Sequence, residues 1–203
     1  MVSRWTASEE CLTLPGENLG ERLVKANSLI KLLRDRKSSA PVTDSRKKWT
    51  DWIKKNLYEI MGSEEYLISP KDCASTQGEY LRLDITVEES KFPKRIVLAV
   101  ESELDDSKGR RTAIEHDFEK LLAIKSSFKL MVFTTQRQDF TNEKALEMFE
   151  GSVNGYGHHL LGETYIFVDY NEDSGDNGNF IAHTWQPYKS GVQVKRVHFA
   201  LAE

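Results

Sequence analysis

The chain has 203 residues, enough for a single well-packed domain, and its 39% hydrophobic and 10% aromatic content is ordinary for a globular protein. No run approaches the roughly 18 apolar residues that span a bilayer, and Met1-Val2-Ser3-Arg4-Trp5-Thr6 carries no apolar signal region, which implies a soluble, cytoplasmic protein without a membrane partner. The 28 Lys and Arg against 32 Asp and Glu give a net charge of −4, which weighs against a strongly basic nucleic-acid binder, and Cys11 and Cys73 have neither metal-ligand spacing nor the look of a disulfide framework.

The first eighty residues read as mainly helical. Leu19, Leu23, Ala26, Leu29, Ile30 and Leu33 recur at helical spacing over Leu19 to Arg36. Pro41 interrupts. Asp44 or Ser45 then caps a second helix that runs through Met61, with Gly62 as its stop. That helix carries Trp49, Trp52, Ile53, Leu57, Ile60 and Met61, enough apolar surface to pack on a sheet. Residues 1–62 thus form an N-terminal helical region.

Leu81-Arg82-Leu83-Asp84-Ile85-Thr86-Val87 alternates apolar and polar with period two, as a half-buried strand does. The alternation sends Leu81, Leu83, Ile85 and Val87 one way and Arg82, Asp84 and Thr86 the other. Ile96-Val97-Leu98-Ala99-Val100-Glu101-Ser102-Glu103 reads as a buried strand, and the short polar link with Pro93 makes the two an antiparallel hairpin. A turn centred between Phe92 and Pro93 makes residues whose numbers add to 185 face each other, so Asp84 faces Glu101 and Arg82 faces Glu103. Two carboxylates directly opposite on one sheet face repel. A hard divalent cation held by oxygen ligands is the natural group to sit between them. The bland alternative is that Arg82 pairs with Glu103 and that these acids are merely solvated.

The basic run Lys108-Gly109-Arg110-Arg111 follows as a connection, and a Gly-containing basic loop beside a metal site can hold a backbone phosphate. Other positive clusters lie at Arg34 to Lys37 and at Arg46-Lys47-Lys48 with Lys54-Lys55. A helix from Thr112 to Ser127 has its apolar centre at Ile114, Phe118, Leu121 and Leu122, with Asp117 on one flank and Lys120 further round the same side. Leu130 to Thr135 reads as a buried strand, and Asn142 to Gly151 as a short helix capped by Thr141 or Asn142. Three strands follow, Thr164 to Asp169, Asn179 to Trp185 and Val192 to Phe199, with Gly175-Asp176-Asn177-Gly178 as a turn. His158 and His159 read as surface residues, and His116, His183 and His198 show no partner spacing. There is no phosphate-binding Gly-rich loop and no arguable Ser-His-Asp or Cys-His arrangement.

Asp84 in Leu-Arg-Leu-Asp-Ile-Thr-Val, Glu101 and Glu103 in Val-Leu-Ala-Val-Glu-Ser-Glu, the helix after them and the strand Lys-Leu-Met-Val-Phe-Thr-Thr together resemble the core of the PD-(D/E)XK nuclease superfamily. The resemblance covers about 55 residues, Leu81 to Thr135. No Pro precedes Asp84, and Glu103 stands where the family usually has Lys. The resemblance implies a single α/β domain with a mixed central sheet flanked by helices and a restriction-endonuclease-like core over residues 81–135, followed by C-terminal strands over 164–199. It implies Mg²⁺ (or Mn²⁺) bound by Asp84, Glu101 and the carbonyl of Ser102, with Glu103, or Lys120 from the following helix, orienting or deprotonating the attacking water. Glu59 is an additional candidate, because such folds often begin with a helix that lends a Glu to the metal site. Lys108, Arg110 and Arg111 are candidate phosphate contacts.

The implied function is metal-dependent hydrolysis of DNA, endonucleolytic rather than exonucleolytic, with RNA left open and a homodimer expected if both strands are cut. The first alternative is a non-enzymatic binding or scaffold protein on the same fold, its acids paired with Arg82, Arg110 or Arg111. A second is an interaction domain whose Trp49/Trp52 helix packs on a partner.

Overall fold

The β-branched run Ile96 to Val100 has no polar side chain to send to solvent, and it lies in the middle of the sheet, covered on both faces. The computed structural model describes residues 29–31, 46–61, 66–69, 83–104, 110–135, 140–159, 162–171, 179–185 and 197–199. Their elements are α1 (Arg46–Met61), β1 (Tyr66–Ser69), β2 (Ile85–Glu89), β3 (Ile96–Glu103), α2 (Arg110–Ala123), β4 (Ser126–Phe133), α3 (Asn142–Tyr156), β5 (Thr164–Asn171), β6 (Asn179–Trp185) and β7 (Val197–Phe199). Leu29 to Lys31 is also helical.

The seven strands lie side by side in chain order. β1, β2 and β3 are antiparallel, β3, β4 and β5 parallel, and β5, β6 and β7 antiparallel again. The sheet is mixed and the fold α/β. Each parallel step needs a crossover, and α2 and α3 supply the two on one face, as successive crossovers of the same hand must. Helix α1 covers the other face.

Each face has its own core. Trp49, Trp52, Ile53 and Leu57 of α1 bury against Ile85, Val87, Leu98, Val100, Leu130 and Val132. Ile114, Phe118 and Leu121 of α2, with Leu146, Phe149 and Val153 of α3, bury against Met131, Phe133, Tyr165 and Phe167. Trp49 meets Trp52 edge-on at 5.6 Å and Tyr170 at 4.6 Å. Both tryptophans are therefore spent inside the fold and are not exposed on this helix for a partner.

The hairpin register is the expected one: Ile85 faces Val100, Thr86 faces Ala99 and Val87 faces Leu98. A bulge between Val87 and Glu88 shifts it thereafter, and Arg95 closes the neck by two bonds to the Glu89 carboxylate, at 2.7 and 2.9 Å. The alternation ends at Asp84. Leu83 packs with α2 and α3, whereas Ile85 and Val87 pack with α1, because the chain bends at Asp84 and β2 starts only after it.

Three boundaries differ from expectation. Strand β1 lies in the region read as helical; at four residues, with only Ile68 buried, it is too short to show a period. Helix α2 starts at Arg110 and ends at Ala123, so Arg110 and Arg111 are helical rather than looped, and β4 begins at Ser126 rather than Leu130. Lys129 conceals that start, since a charged residue argues against a buried strand. Helix α3 runs through Gly151 to Tyr156, because burying Val153 offsets the roughly 1 kcal/mol a helical glycine costs. It is capped by Thr141 and ends at Gly157, whose φ of 67° is the left-handed conformation that suits glycine. Most of the Leu19 to Arg36 helix, the helix stop at Gly62, the turn at 175–178, the start of the last expected strand, Cys11, Cys73, Arg82 and Lys108 lie outside the described residues.

Phe149 stacks on Phe167 at 4.5 Å and meets Phe118 at 4.6 Å and Phe133 at 5.2 Å, tying α2 and α3 to the sheet. Phe149→Ala is expected to cost about 3–5 kcal/mol in urea unfolding, and substitution of the exposed Glu150 by Ala almost nothing.

Candidate functional site

Just before β2 begins and where β3 ends, the charged side chains of Asp84, Glu101, Asp117 and Lys120 come together. Glu101 and Glu103 lie two residues apart on β3, and both side chains are buried. Glu101 points to the α2 side, where Lys120 Nζ lies 2.7 Å from its Oε1. The same ammonium lies 3.0 Å from Oδ1 of Asp117, one turn earlier on α2. The spacing of three residues puts Asp117 and Lys120 on one flank of the helix, while Phe118 and Leu121 hold that helix down. Lys120 therefore does reach the acids, although it is offset from the apolar centre of its helix.

Asp84 sits at the bend before β2 and turns its carboxylate to the end of β3. Its Oδ2 accepts from Ser102 N at 2.9 Å and from Ser102 Oγ at 2.8 Å. The Ser102 proton is thus committed to Asp84, so Thr50 of α1, 2.9 Å away, donates to Ser102 Oγ. Ser102 reaches the site through its N–H and hydroxyl, and it links the acids to α1.

The electrostatics follow from burial. Removal from water pushes the Glu101 carboxyl up from its ordinary 4.5 to about 9, and the neighbouring Asp84 adds to the rise against the pull of Lys120. Burial also raises Asp84, against the two bonds from Ser102. For Lys120, burial works to lower the pKa, but the bonds to Glu101 and Asp117 outweigh it and hold the group above the ordinary lysine value. Lys120 is a fixed positive charge here.

Among the described residues no three His, Cys, Asp or Glu side chains are arranged as a ready-made metal-ligand set. What the site does offer is hard oxygen. Among the described residues Asp84 Oδ1 and Glu101 Oε2 make no hydrogen bond or ion pair, since the contacts of these two residues are all on the other oxygen. Two carboxylates with water completing the shell is a donor set that suits Mg²⁺.

Two further candidates, Glu59 and Arg111, are not gathered in. Glu59 is exposed on α1, nine residues beyond Thr50 and so about 14 Å further along the helix. Its neighbour Tyr58 bonds the Ile68 carbonyl of β1, towards the opposite end of β3 from the acids. Arg111 is exposed and paired with Glu115 at 2.8 Å. Arg110 opens α2, and Lys108 lies outside the described residues.

Two polar clusters escaped the sequence reading. Lys129 is fully buried at the start of β4 and bonds Glu163 at 3.0 Å, the Tyr165 hydroxyl at 3.0 Å and the Leu122 carbonyl at 3.3 Å. His159 is not a plain surface residue. Its Nε2 donates to the Val153 carbonyl at 2.5 Å, and its Nδ1 lies 3.0 Å from the Tyr165 hydroxyl, which itself donates to Glu163 at 3.3 Å. Burial lowers the Lys129 pKa against the attraction of Glu163. At the other end of β5, Asp169 accepts from Thr135 N at 3.0 Å, from the Thr135 hydroxyl and from Asn142 Nδ2 at 2.8 Å. Only Asp117, next to Lys120, could have been found from the sequence, as the neighbour one turn before the candidate lysine.

Comparison of the chain with family models, curated proteins and solved structures finds no match.

Two outcomes follow from this geometry. The folded chain keeps a proton on Glu101 that the unfolded chain releases above 4.5, so stability from this group is full below that pH and is lost as pH rises towards 9. Glu101→Gln cannot ionise, so in thermal melts its advantage over wild type should grow from pH 5 to pH 8.5. Lys129→Ala strands Glu163 and should cost about 3–5 kcal/mol. Lys129→Met combined with Glu163→Gln should recover much of it in a double-mutant cycle.

Proposed function

We propose that the chain is a Mg²⁺- or Mn²⁺-dependent phosphodiesterase acting on DNA, endonucleolytic in action, with a restriction-endonuclease-like core of the PD-(D/E)XK type. The observation that carries this is the meeting of Asp84 and Glu101 at the end of the hairpin, each with one uncommitted oxygen, and Lys120 on Glu101. Order along the chain supports it as well: acid, hairpin, second acid, helix with lysine, parallel strand.

In this reading Asp84 and Glu101 hold the cation, with the Ser102 carbonyl as a further ligand, and Ser102 fixes the Asp84 rotamer through its N–H and hydroxyl. A bound Mg²⁺ would lower the pKa of water, neutralise the scissile phosphate and stabilise the leaving oxygen. Lys120 stays charged, so it orients the water or the phosphate rather than taking a proton. Glu103, buried on the same strand face, is then the residue to accept that proton. Cutting both strands of a duplex calls for two such sites, and a homodimer provides them.

A second reading has its own observation. Lys120 already bonds Glu101 and Asp117, and Ser102 satisfies half of Asp84, which is how a binding or scaffold protein on the same fold would keep these acids. Isothermal titration with Mn²⁺ separates the two: a scaffold shows no carboxylate-dependent binding. For the enzyme, Asp84→Ala and Glu101→Gln should each lower Mg²⁺-dependent plasmid nicking at least about 100-fold, with circular dichroism unchanged. Nicking at the wild-type rate by both variants would overturn the assignment.

A further inference from the structure

Thr86 faces Ala99 across the hairpin, and Glu101 is the next residue of β3 on the same face. Ile85 and Val87 pack towards α1, so the Thr86 side chain is turned to the α2 side, where Glu101 meets Lys120. As diagonal neighbours, Thr86 and Glu101 have backbones about 7–8 Å apart. Ala99 between them fills little of that space. Thr86 is 1% exposed, and among the described residues its buried hydroxyl has no hydrogen-bond partner.

A hydroxyl buried without a partner is a net cost to the fold, and valine would fill the same space without it. A group of that kind, one side chain from two carboxylates with uncommitted oxygens, is matched to something that arrives from outside. Mg²⁺ and Mn²⁺ keep part of their water when bound by two carboxylates, and a hydroxyl can both donate to and accept from such a water. We propose that Thr86 belongs to the acid site and that its hydroxyl bonds a water of the hydrated divalent cation held by Asp84 and Glu101. This rests on the metal-binding reading above and names a residue that reading does not use.

Thr184 supplies the control. Its hydroxyl is equally buried and unpartnered, but it lies on β6, three strands from β3. Wild type, Thr86→Val, Thr86→Ser and Thr184→Val are compared by thermal melting without metal and by Mn²⁺ titration calorimetry, with Asp84→Asn alongside. Both valine variants should raise the melting temperature by about 2–4 °C. Thr86→Val should weaken Mn²⁺ about 3–10-fold, while Thr86→Ser and Thr184→Val bind as wild type does. Equal Mn²⁺ affinity in wild type and Thr86→Val, with Asp84→Asn impaired, would overturn this inference and leave the metal site standing. No Mn²⁺ binding by wild type, or binding by Asp84→Asn equal to wild type, would overturn both.

Discussion

A carboxyl group that is 1% exposed, Glu101, is laid under α2 with one ammonium to answer it. Taking that charge out of water is expensive, and only the close contact with Lys120 and the freedom to stay protonated make it tolerable. This sets the placement of α2. Phe118 and Leu121 seat the helix on the sheet, and that seating brings Asp117 and Lys120 over the end of β3.

The rest of the polar interior holds this arrangement still. Lys129 clamps the start of β4 to β5 and to the end of α2, so the helix that carries Lys120 is tied at its far end by a carbonyl bond from Leu122. Asp169 closes the opposite end of β5 onto the loop before α3 and onto Asn142 in that helix. Each clasp adds directional bonds between elements that are also packed through apolar side chains.

The hairpin register was legible because the polar link and the β-branched strand leave few alternatives, and the strand pairs of β2 with β3 follow it. The apolar stripe of α2 and the cap of α3 were legible for similar reasons, since both are local. What sequence reasoning could not see is long-range. Lys129 argues against a strand unless Glu163, 34 residues away, is known to be its partner. The bend at Asp84 sends Leu83 to the opposite face, which strict alternation cannot foresee. Lys120 was a candidate, but its partners Glu101 and Asp117 could not be read, because a residue offset from an apolar stripe gains them only once the sheet beneath it is in place.

The order of the strands has a consequence for how the molecule comes to exist. Among the described residues every strand lies next to the one made just before it, so none of these strands has to wait for a distant part of the chain to find its neighbour. Asp84, Glu101, Asp117 and Lys120 come from one stretch, between the bend before β2 and the last turn of α2. That stretch precedes β4 to β7 in the chain, so the residues of the charged centre are synthesised before those four strands.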